Sequence, residues 1–511
     1  MNKKLINTIP ILLLIFSLSS CDLSSLTSGL QDLIDSAFNE NIAPDVSVGE
    51  FDNEEHFGNS LTLLDEAFNG SKNQLDEDLK MDFTNHKLEY EKQDGYEVID
   101  IDKTIIDYEY YDGYMPTKGD VKGLVIPVDF VDYRFNKEKK YAQTKVQNQS
   151  VSSFYYNSSY GQLNLSFDIL PWYTAANKSS YYENMSEKNQ NKFHGDAPGV
   201  SCLIHEILTV AAQTYDLSQY DSNKDGNIDS LHIIYNHPID YDVGDFWWAF
   251  QYVTYENYRY DGLHSYSYVF AGFDFLFEYD ETNNTRTFIH ETGHMLGLED
   301  YYDYDFSKGT KEGGLGGFDM MDCSIGDHNV FSKISLGWID KVLLVTLDQN
   351  EETTITINDS STSANVIMVC DNYDKEKGVF QTYFLFELID AQSPLFGDSL
   401  GELTYDGVRV YRVNAELKTY TDSAYAYDYY RFDNSYSIFN LIDSINGPTS
   451  TTYYNTKYND GLKMTNNDLF IKSSNYSKLP FSNTTNKMNS AYVFRVENIS
   501  NNQATISFKR R

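Results

Sequence analysis

The sequence predicts an α+β domain with a twisted mixed sheet, followed by a β-rich domain. Residues 123–131 form a compact apolar and β-branched run, which is typical of a buried strand, although Pro127 favours an edge or bulge position. Residues 200–212 carry apolar side chains at helical spacing. Beyond residue 340, short apolar or alternating runs are separated by turn residues, as in a sandwich-like β domain. We therefore place the two domains at residues 119–340 and 341–511.

The composition narrows the range of partners. The 511 residues include 39 Lys+Arg and 76 Asp+Glu, which give a net charge of −37. This charge repels phosphates and argues against nucleic acid as a partner. It favours solubility and the binding of divalent cations. Only Cys202, Cys323 and Cys370 follow residue 21, so the chain is not a disulfide scaffold.

Residues 1–21 are typical of a targeting segment. Lys3 and Lys4 precede an apolar run at 9–18, which is short for a membrane helix and favours a cleaved signal peptide. The ending Leu-Ser-Ser-Cys21 resembles a bacterial lipobox, which implies that Cys21 is lipid-modified and tethers the protein to the outer face of a membrane. The alternative is a plain secretory signal. No later run reaches the ~18 apolar residues of a membrane helix, so we expect an extracytoplasmic protein that contacts the membrane through its lipid anchor alone.

Residues 288–300 contain the pattern most specific for chemistry. His290 and His294 lie four residues apart, so on a helix they share a face and can present two imidazoles to one metal ion. Glu291 lies one position round the helix, where its carboxylate can take a proton from a metal-activated water. Gly297 can end the helix in a left-handed conformation, after which Asp300 can supply a third ligand. Three protein ligands and a water form a catalytic zinc site.

A second segment, residues 221–229, predicts a calcium loop. Oxygen-bearing side chains at alternate positions suit a hard cation, and Gly226 allows the sharp turn. The expected ligands are the side chains of Asp221, Asn223 and Asp225, the backbone carbonyl of Asn227, and Asp229 directly or through water. The twelfth position is His232 rather than a bidentate Glu. The alternative is a turn held by its own Asx side chains, without an ion.

The H-E-x-x-H-x-x-G-x-x-D pattern resembles that of metzincins, with Asp in place of the more common third His. The segments Gly-Gly-Phe-Asp-Met-Met-Asp at 316–322 and Phe-Ser-Lys-Ile-Ser-Leu-Gly-Trp-Ile at 331–339 are similar to segments of the immune inhibitor A family of secreted bacterial metalloproteases. The resemblance implies a metzincin-like catalytic domain at 119–340. It also implies a Met-turn whose methionine is Met321, with Met320 as the alternative.

The resemblance implies a zinc-dependent endopeptidase that cleaves protein or peptide substrates, with Glu291 as the general base. Metzincins often have a Tyr near the Met-turn that aids the oxyanion, but here Asp-Cys-Ser-Ile follows Met321. His328 is the candidate substitute donor, and the alternative is that it is an ordinary surface histidine. In metzincin folds an edge strand pairs with the extended substrate. The competing hypothesis is a catalytically retired surface lipoprotein that acts as an adhesin or as a glycan- or protein-binding module. The intact Glu291 favours the enzyme.

The acidic segment at residues 22–118 has two interpretations. It is either a tether that lifts the catalytic domain off the membrane or an inhibitory propeptide, which the immune inhibitor A family often has. The segment contains no Cys, so a cysteine from it cannot cap the zinc. The sequence leaves both interpretations open.

Overall fold

The computed structural model describes residues 75–83, 94–105, 114–134, 137–185, 197–239, 246–276, 285–302, 304, 314–315, 317–395, 405–421, 426–437, 439–445, 468–481 and 489–511. The predicted signal peptide and Cys21 lie outside the described residues, and so does most of the segment 22–118. The described chain is a mixed α/β protein with several sheets and few helices, which is compatible with the α+β prediction. None of its described helices is both long enough and apolar enough to cross a membrane.

The described elements follow in chain order. The helices are α1 (Lys137–Ser158), α2 (Ser179–Glu183), α3 (Pro198–Thr214), α4 (Arg286–Met295), α5 (Met320–Cys323) and α6 (Val330–Ser335). The strands are β1 (Tyr96–Asp100), β2 (Gly119–Asp129), β3 (Leu163–Ile169), β4 (Tyr173–Thr174), β5 (Leu231–Tyr235), β6 (Phe250–Val253), β7 (Ser267–Gly272), β8 (Lys341–Val345), β9 (Glu352–Asn358), β10 (Ile367–Val369), β11 (Thr382–Ile389), β12 (Gly407–Asn414), β13 (Leu417–Thr421), β14 (Ala426–Tyr430), β15 (Ile442–Ile445), β16 (Ser477–Pro480), β17 (Asn489–Ser500) and β18 (Gln503–Arg510).

The chain divides into two compact units. Of the described residues, those within 75–79, 114–155 and 163–296 form the first unit, and those within 80–105, 156–162 and 297–511 form the second. The first unit contains a mixed sheet with the strand order β3-β2-β5-β7-β6, and β4 also pairs with β2. The neighbours β3, β2, β5 and β7 run parallel, whereas β6 pairs antiparallel with β7 at the edge.

Helix α3 supplies much of the core of the first unit. Leu203 and Ile207 are buried in one apolar cluster with Ile126 of β2 and Ile233 of β5. Glu206 lies on the same helix and is also buried, but its carboxylate accepts hydrogen bonds from the Tyr173 and Tyr182 hydroxyls and from the backbone N–H of Ala176. The His205-Glu206 pair is therefore part of the helix packing, because the buried charge is matched by three donors.

The sequence predicts an edge or bulge position for Pro127, and the edge alternative is wrong, because β2 lies between β3 and β5. The backbone N–H of Leu170 donates to the carbonyl of Val125, and the backbone N–H of Ala175 donates to the carbonyl of Asp129. Alternate residues of β2 therefore pair first with the β3 side and then with the β4 side. Pro127 lies between these two positions, where the partner changes from β3 to β4. The missing N–H of proline removes no ladder hydrogen bond there, which explains why a central strand tolerates it.

The second unit contains two larger sheets and a hairpin. One sheet has the order β1-β8-β10-β11-β12-β15, the other has the order β16-β17-β18-β9, and β13 pairs with β14. Side chains from both larger sheets, including Phe386 and Val410 of one and Phe494 and Phe508 of the other, share one buried cluster. Sheet faces that bury a common apolar layer are the basis of sandwich packing.

A buried ion pair holds the second unit together near α6. The ammonium of Lys333 lies 2.6 Å from the carboxylate of Asp327, and both side chains are at most 4% exposed. The carboxylate also accepts a hydrogen bond from the Ser158 hydroxyl at 2.5 Å, and the ammonium lies 4.5 Å from the ring centroid of Tyr160. Such a pair is stable because each charge has several partners in a site that excludes water.

We predict that Lys333→Met lowers the free energy of unfolding by about 3–5 kcal/mol, because it leaves the buried carboxylate of Asp327 without its counter-ion. The measurement is urea denaturation followed by tryptophan fluorescence. Lys341→Met is the matched control, since Lys341 pairs with Asp100 at 3.4 Å on the surface, with 49% and 70% of the two side chains exposed. It should change the free energy by no more than ~0.5 kcal/mol. Equal effects of the two substitutions would contradict the buried-pair account.

Candidate metal centre

Helix α4 presents its two histidines to each other. The Nε2 atoms of His290 and His294 lie 3.2 Å apart, and their rings meet edge to face at 78°. The helix stops directly after them: Leu296 donates its N–H to the carbonyls of Thr292 and Gly293, and Gly297 has a φ of 92°. Glycine accepts this left-handed conformation without a steric penalty, so the chain can reverse there.

Asp300 completes a group of three potential ligands. One ligand atom each from His290, His294 and Asp300 lies within 4.8 Å of the other two. Ligands at ~2.0–2.1 Å around a tetrahedral zinc are about 3.3 Å apart, which matches the separation of the two imidazole nitrogens. His290 and Asp300 are buried and His294 is half-buried. The donor set of two imidazoles and a carboxylate therefore fits a divalent metal such as zinc.

The backbone of α4 is anchored within the first unit. The Tyr155 hydroxyl donates to the carbonyl of Ile289 at 2.5 Å, and the N–H of Met115 donates to the carbonyl of Met295 at 2.8 Å. Burial, and then the nearby charge of Glu291, raise the pKa of Tyr155 well above its ordinary value, so its hydroxyl keeps the proton that it donates. These bonds fix the helix and hence the directions of the two histidines.

Glu291 is buried on the same helix and is held by the edge strand. Its Oε2 accepts the backbone N–H of Gln251 in β6 at 2.7 Å. The backbone N–H of Thr254 donates to the carbonyl of Tyr266, which continues the β6–β7 pairing. In an antiparallel ladder the backbone groups of alternate residues point to opposite sides, so those of Gln251 and Val253 point away from β7. The carboxylate of Glu291 therefore lies against the outer edge of β6. The sequence did not reveal this contact, since it depends on the register of two strands.

The segment predicted to be the Met-turn is tightly held within the second unit. Met320 and Met321 are both buried, and the carbonyl of Met321 accepts the N–H of Tyr301, the residue after Asp300, at 2.8 Å. Asp319 caps α5 by accepting the N–H of Met321 at 2.8 Å. The guanidinium of Arg409, from β12, donates to the carbonyls of Phe318 and Leu315. The backbone link to Tyr301 involves Met321 rather than Met320.

His328, the predicted oxyanion donor, is a buried residue close to the Met-turn segment. Its backbone N–H donates to Asp327 at 2.8 Å, and its ring centroid lies 6.0 Å from that of Trp338. These contacts show how the residue is held but do not test its catalytic role, which stays a prediction.

In the loop at residues 221–229 the acidic side chains bind the backbone of the loop. The two carboxylate oxygens of Asp221 accept the N–H groups of Asp225 and Gly226, and Asp229 accepts the N–H of Ser222. Gly226 has a φ of 87°. Burial, with smaller contributions from Asp225 and Asp221, raises the pKa of Asp229 to about 6. Convergent carboxylates suit a cation, but the hydrogen bonds are also those of an Asx-rich turn, so both interpretations remain.

Tyr304, which the sequence analysis did not single out, and His232, which it placed at the twelfth loop position, both lie close to the motif residues. The Tyr304 hydroxyl donates to Oδ2 of Asp300. His232 lies buried in β5, with its Nε2 3.4 Å from the Thr292 hydroxyl of α4, and burial lowers its pKa to about 3. His232 is therefore a neutral core residue rather than a twelfth-position ligand. No local signal in the sequence distinguishes Tyr304 from the other tyrosines around it.

A scan against models of known protein families finds no match, and a search of curated proteins finds no significant match either. The family resemblance is therefore carried by the motif residues alone.

We predict that the purified chain binds about one zinc ion and that His294→Ala and Asp300→Ala each abolish zinc binding, because two ligands hold zinc far more weakly than three. Metal content after dialysis, measured by mass spectrometry, checks the prediction. His205→Ala is the control, since this histidine belongs to the other His-Glu pair and stacks on Tyr258. It should keep its metal. Unchanged metal content in the Asp300 variant would rule that residue out as a ligand.

Proposed function

We propose that this protein is an extracytoplasmic zinc-dependent endopeptidase with a metzincin-like catalytic domain. The observation that supports this most strongly is the convergence of His290, His294 and Asp300, with Glu291 on the same helix and its carboxylate at the edge of β6. The proposal keeps Cys21 as the site of a lipid anchor and Met321 as the Met-turn residue.

The residues present would hold zinc through the Nε2 atoms of His290 and His294 and a carboxylate oxygen of Asp300. Zinc in such a site polarises a carbonyl group and lowers the pKa of water. Side chains and backbone groups of this chain would carry out all the other steps. A metal that acts this way needs a base beside it and a means of aligning the peptide.

Strand β6 offers the means of aligning the peptide. It is the last strand on its side of the described sheet, and the outward carbonyl of Gln251 and the outward backbone groups of Val253 can pair with an extended substrate. The N–H of Gln251 already binds Glu291. A peptide added along this edge would therefore run close to Glu291. It would be held through its main chain, which suits an endopeptidase with substrates of varied sequence.

Glu291 would act as the proton carrier. Its carboxylate would accept a proton from the attacking water and deliver it to the nitrogen of the leaving amine, so no covalent intermediate is needed. The hydrogen bond from Gln251 to Oε2 holds the carboxylate in one orientation during both transfers. His328 remains the proposed donor to the oxyanion.

We predict that Glu291→Ala keeps the metal but lowers kcat/KM for unfolded casein by about 10²–10⁴-fold, because it removes the general base. Glu299→Gln is the matched control: Glu299 is an exposed carboxylate one residue before Asp300, and its removal should leave the activity within about twofold of wild type.

Metal binding without cleavage by the wild-type chain would favour the alternative, a retired protease that acts as a surface binding protein. Loss of metal in the Glu291 variant would mean that Glu291 is structural.

We also propose that the loop 221–229 binds Ca²⁺, and its acidic groups predict how stability depends on pH. The pKa of Asp229 is about 6 in the folded chain, against an ordinary value of 3.8. Its protonation therefore contributes fully to the free energy of unfolding below about pH 4, and this contribution is lost as the pH rises through 6. In chelator, Asp229→Asn should therefore gain thermal stability relative to wild type over this range. Excess Ca²⁺ should abolish the loss in the wild type, because a cation stabilises the ionised carboxylates. Identical pH profiles with and without Ca²⁺ would exclude the calcium site.

A further inference from the structure

We infer that Tyr304 is a positioning residue of the metal centre, which orients Asp300 through a hydrogen bond to its carboxylate. The inference rests on the proposed function, since it assumes that Asp300 is a metal ligand. The phenol of Tyr304 donates to Oδ2 of Asp300, four residues earlier in the chain. Asp300 is buried and Tyr304 is half-buried.

The hydrogen bond restricts how the carboxylate can bind a metal. A carboxylate without such a partner can rotate about its Cβ–Cγ bond and can bind with one oxygen or with both. A donor on Oδ2 fixes the plane of the group and occupies one of its lone pairs, which favours binding through a single oxygen. Partners of this kind commonly change metal affinity or activity by about 10–100-fold when they are removed.

Tyr304 can orient another group because it is itself held in place. Its ring packs between Tyr302, at 5.1 Å, and Tyr436, at 5.0 Å between centroids. Its backbone N–H donates to the carbonyl of Ser435 at 3.1 Å. A phenol fixed at its backbone and on its ring loses little entropy when its hydroxyl binds Asp300.

The segment that supports Tyr304 is ordered by its own hydrogen bonds. Asp433 accepts the backbone N–H groups of Tyr436 and Ser437. The amide of Asn434 donates to the carbonyl of Tyr301, the residue after Asp300, at 3.1 Å and to that of Ile442 at 2.9 Å. Tyr301 and Tyr304 are thus hydrogen-bonded to Asn434 and Ser435, and the hydroxyl of Tyr304 in turn restrains Asp300.

The test is Tyr304→Phe, which removes the hydroxyl and keeps the ring. Zinc affinity would be measured by competition with a chromophoric chelator, and the visible absorption of the Co²⁺-substituted chain would report on the geometry of the site. We expect zinc to bind about 10–100-fold more weakly and the Co²⁺ spectrum to shift. Tyr436→Phe is the matched control from the same ring stack, and it should keep the affinity within about threefold of wild type.

The outcomes separate this inference from the proposed function. Wild-type affinity and an unchanged Co²⁺ spectrum in Tyr304→Phe, with a wild-type chain that binds zinc, would overturn the role of Tyr304 alone. A wild-type chain that binds no zinc would overturn the proposed function. Equal weakening in Tyr304→Phe and Tyr436→Phe would also overturn the inference, because the effect would then come from the ring stack rather than from the hydroxyl. Thermal midpoints of the metal-free variants confirm that each one folds.

Discussion

The candidate metal centre depends on one backbone constraint, the reversal of the chain at Gly297 directly after the second histidine. The φ of 92° lies in the region that side chains with a Cβ strongly disfavour, whereas glycine enters it freely. If α4 continued for another turn, Asp300 would lie on a helix face and could not return toward His290 and His294. The two imidazoles come from helical spacing, but the third ligand comes from the end of the helix.

Hydrogen bonds to buried polar groups help to hold the polypeptide around the motif residues. Asp319 is buried, and burial raises its pKa to about 7, although the N–H groups of Met321 and Asn329 and the charge of Arg409 act in the opposite direction. Lys333 and Asp327 form a buried ion pair. Each of these buried polar groups has fixed partners, and the partners of Asp319 hold the Met-turn segment in place.

Features set by residues close together in the sequence were predicted more successfully than features set by residues far apart. The helix that carries His290 and His294, its end at Gly297 and a buried strand near residues 123–131 follow from spacing and turn chemistry within a few residues. The structure contains the helix and its end, and it contains the strand at Gly119–Asp129, which stops before the exposed Val131. The interpretation of Pro127 failed because local sequence does not show that β2 changes partner from β3 to β4. The contacts of Glu291 with Gln251 and of Tyr304 with Asp300 were likewise not predicted, since they depend on strand register and on loop path.

The measurement that tests the central claim most directly is X-ray absorption at the zinc edge on chain purified without added metal. The account predicts a first shell of light atoms only, at about 2.0–2.1 Å, with the outer-shell scattering of two imidazole rings and one carboxylate. Asp300→Ala, dialysed in parallel, should retain no zinc and therefore give no such spectrum. A shell that contains sulfur at about 2.3 Å, or zinc without imidazole scattering, would contradict the assignment of His290, His294 and Asp300.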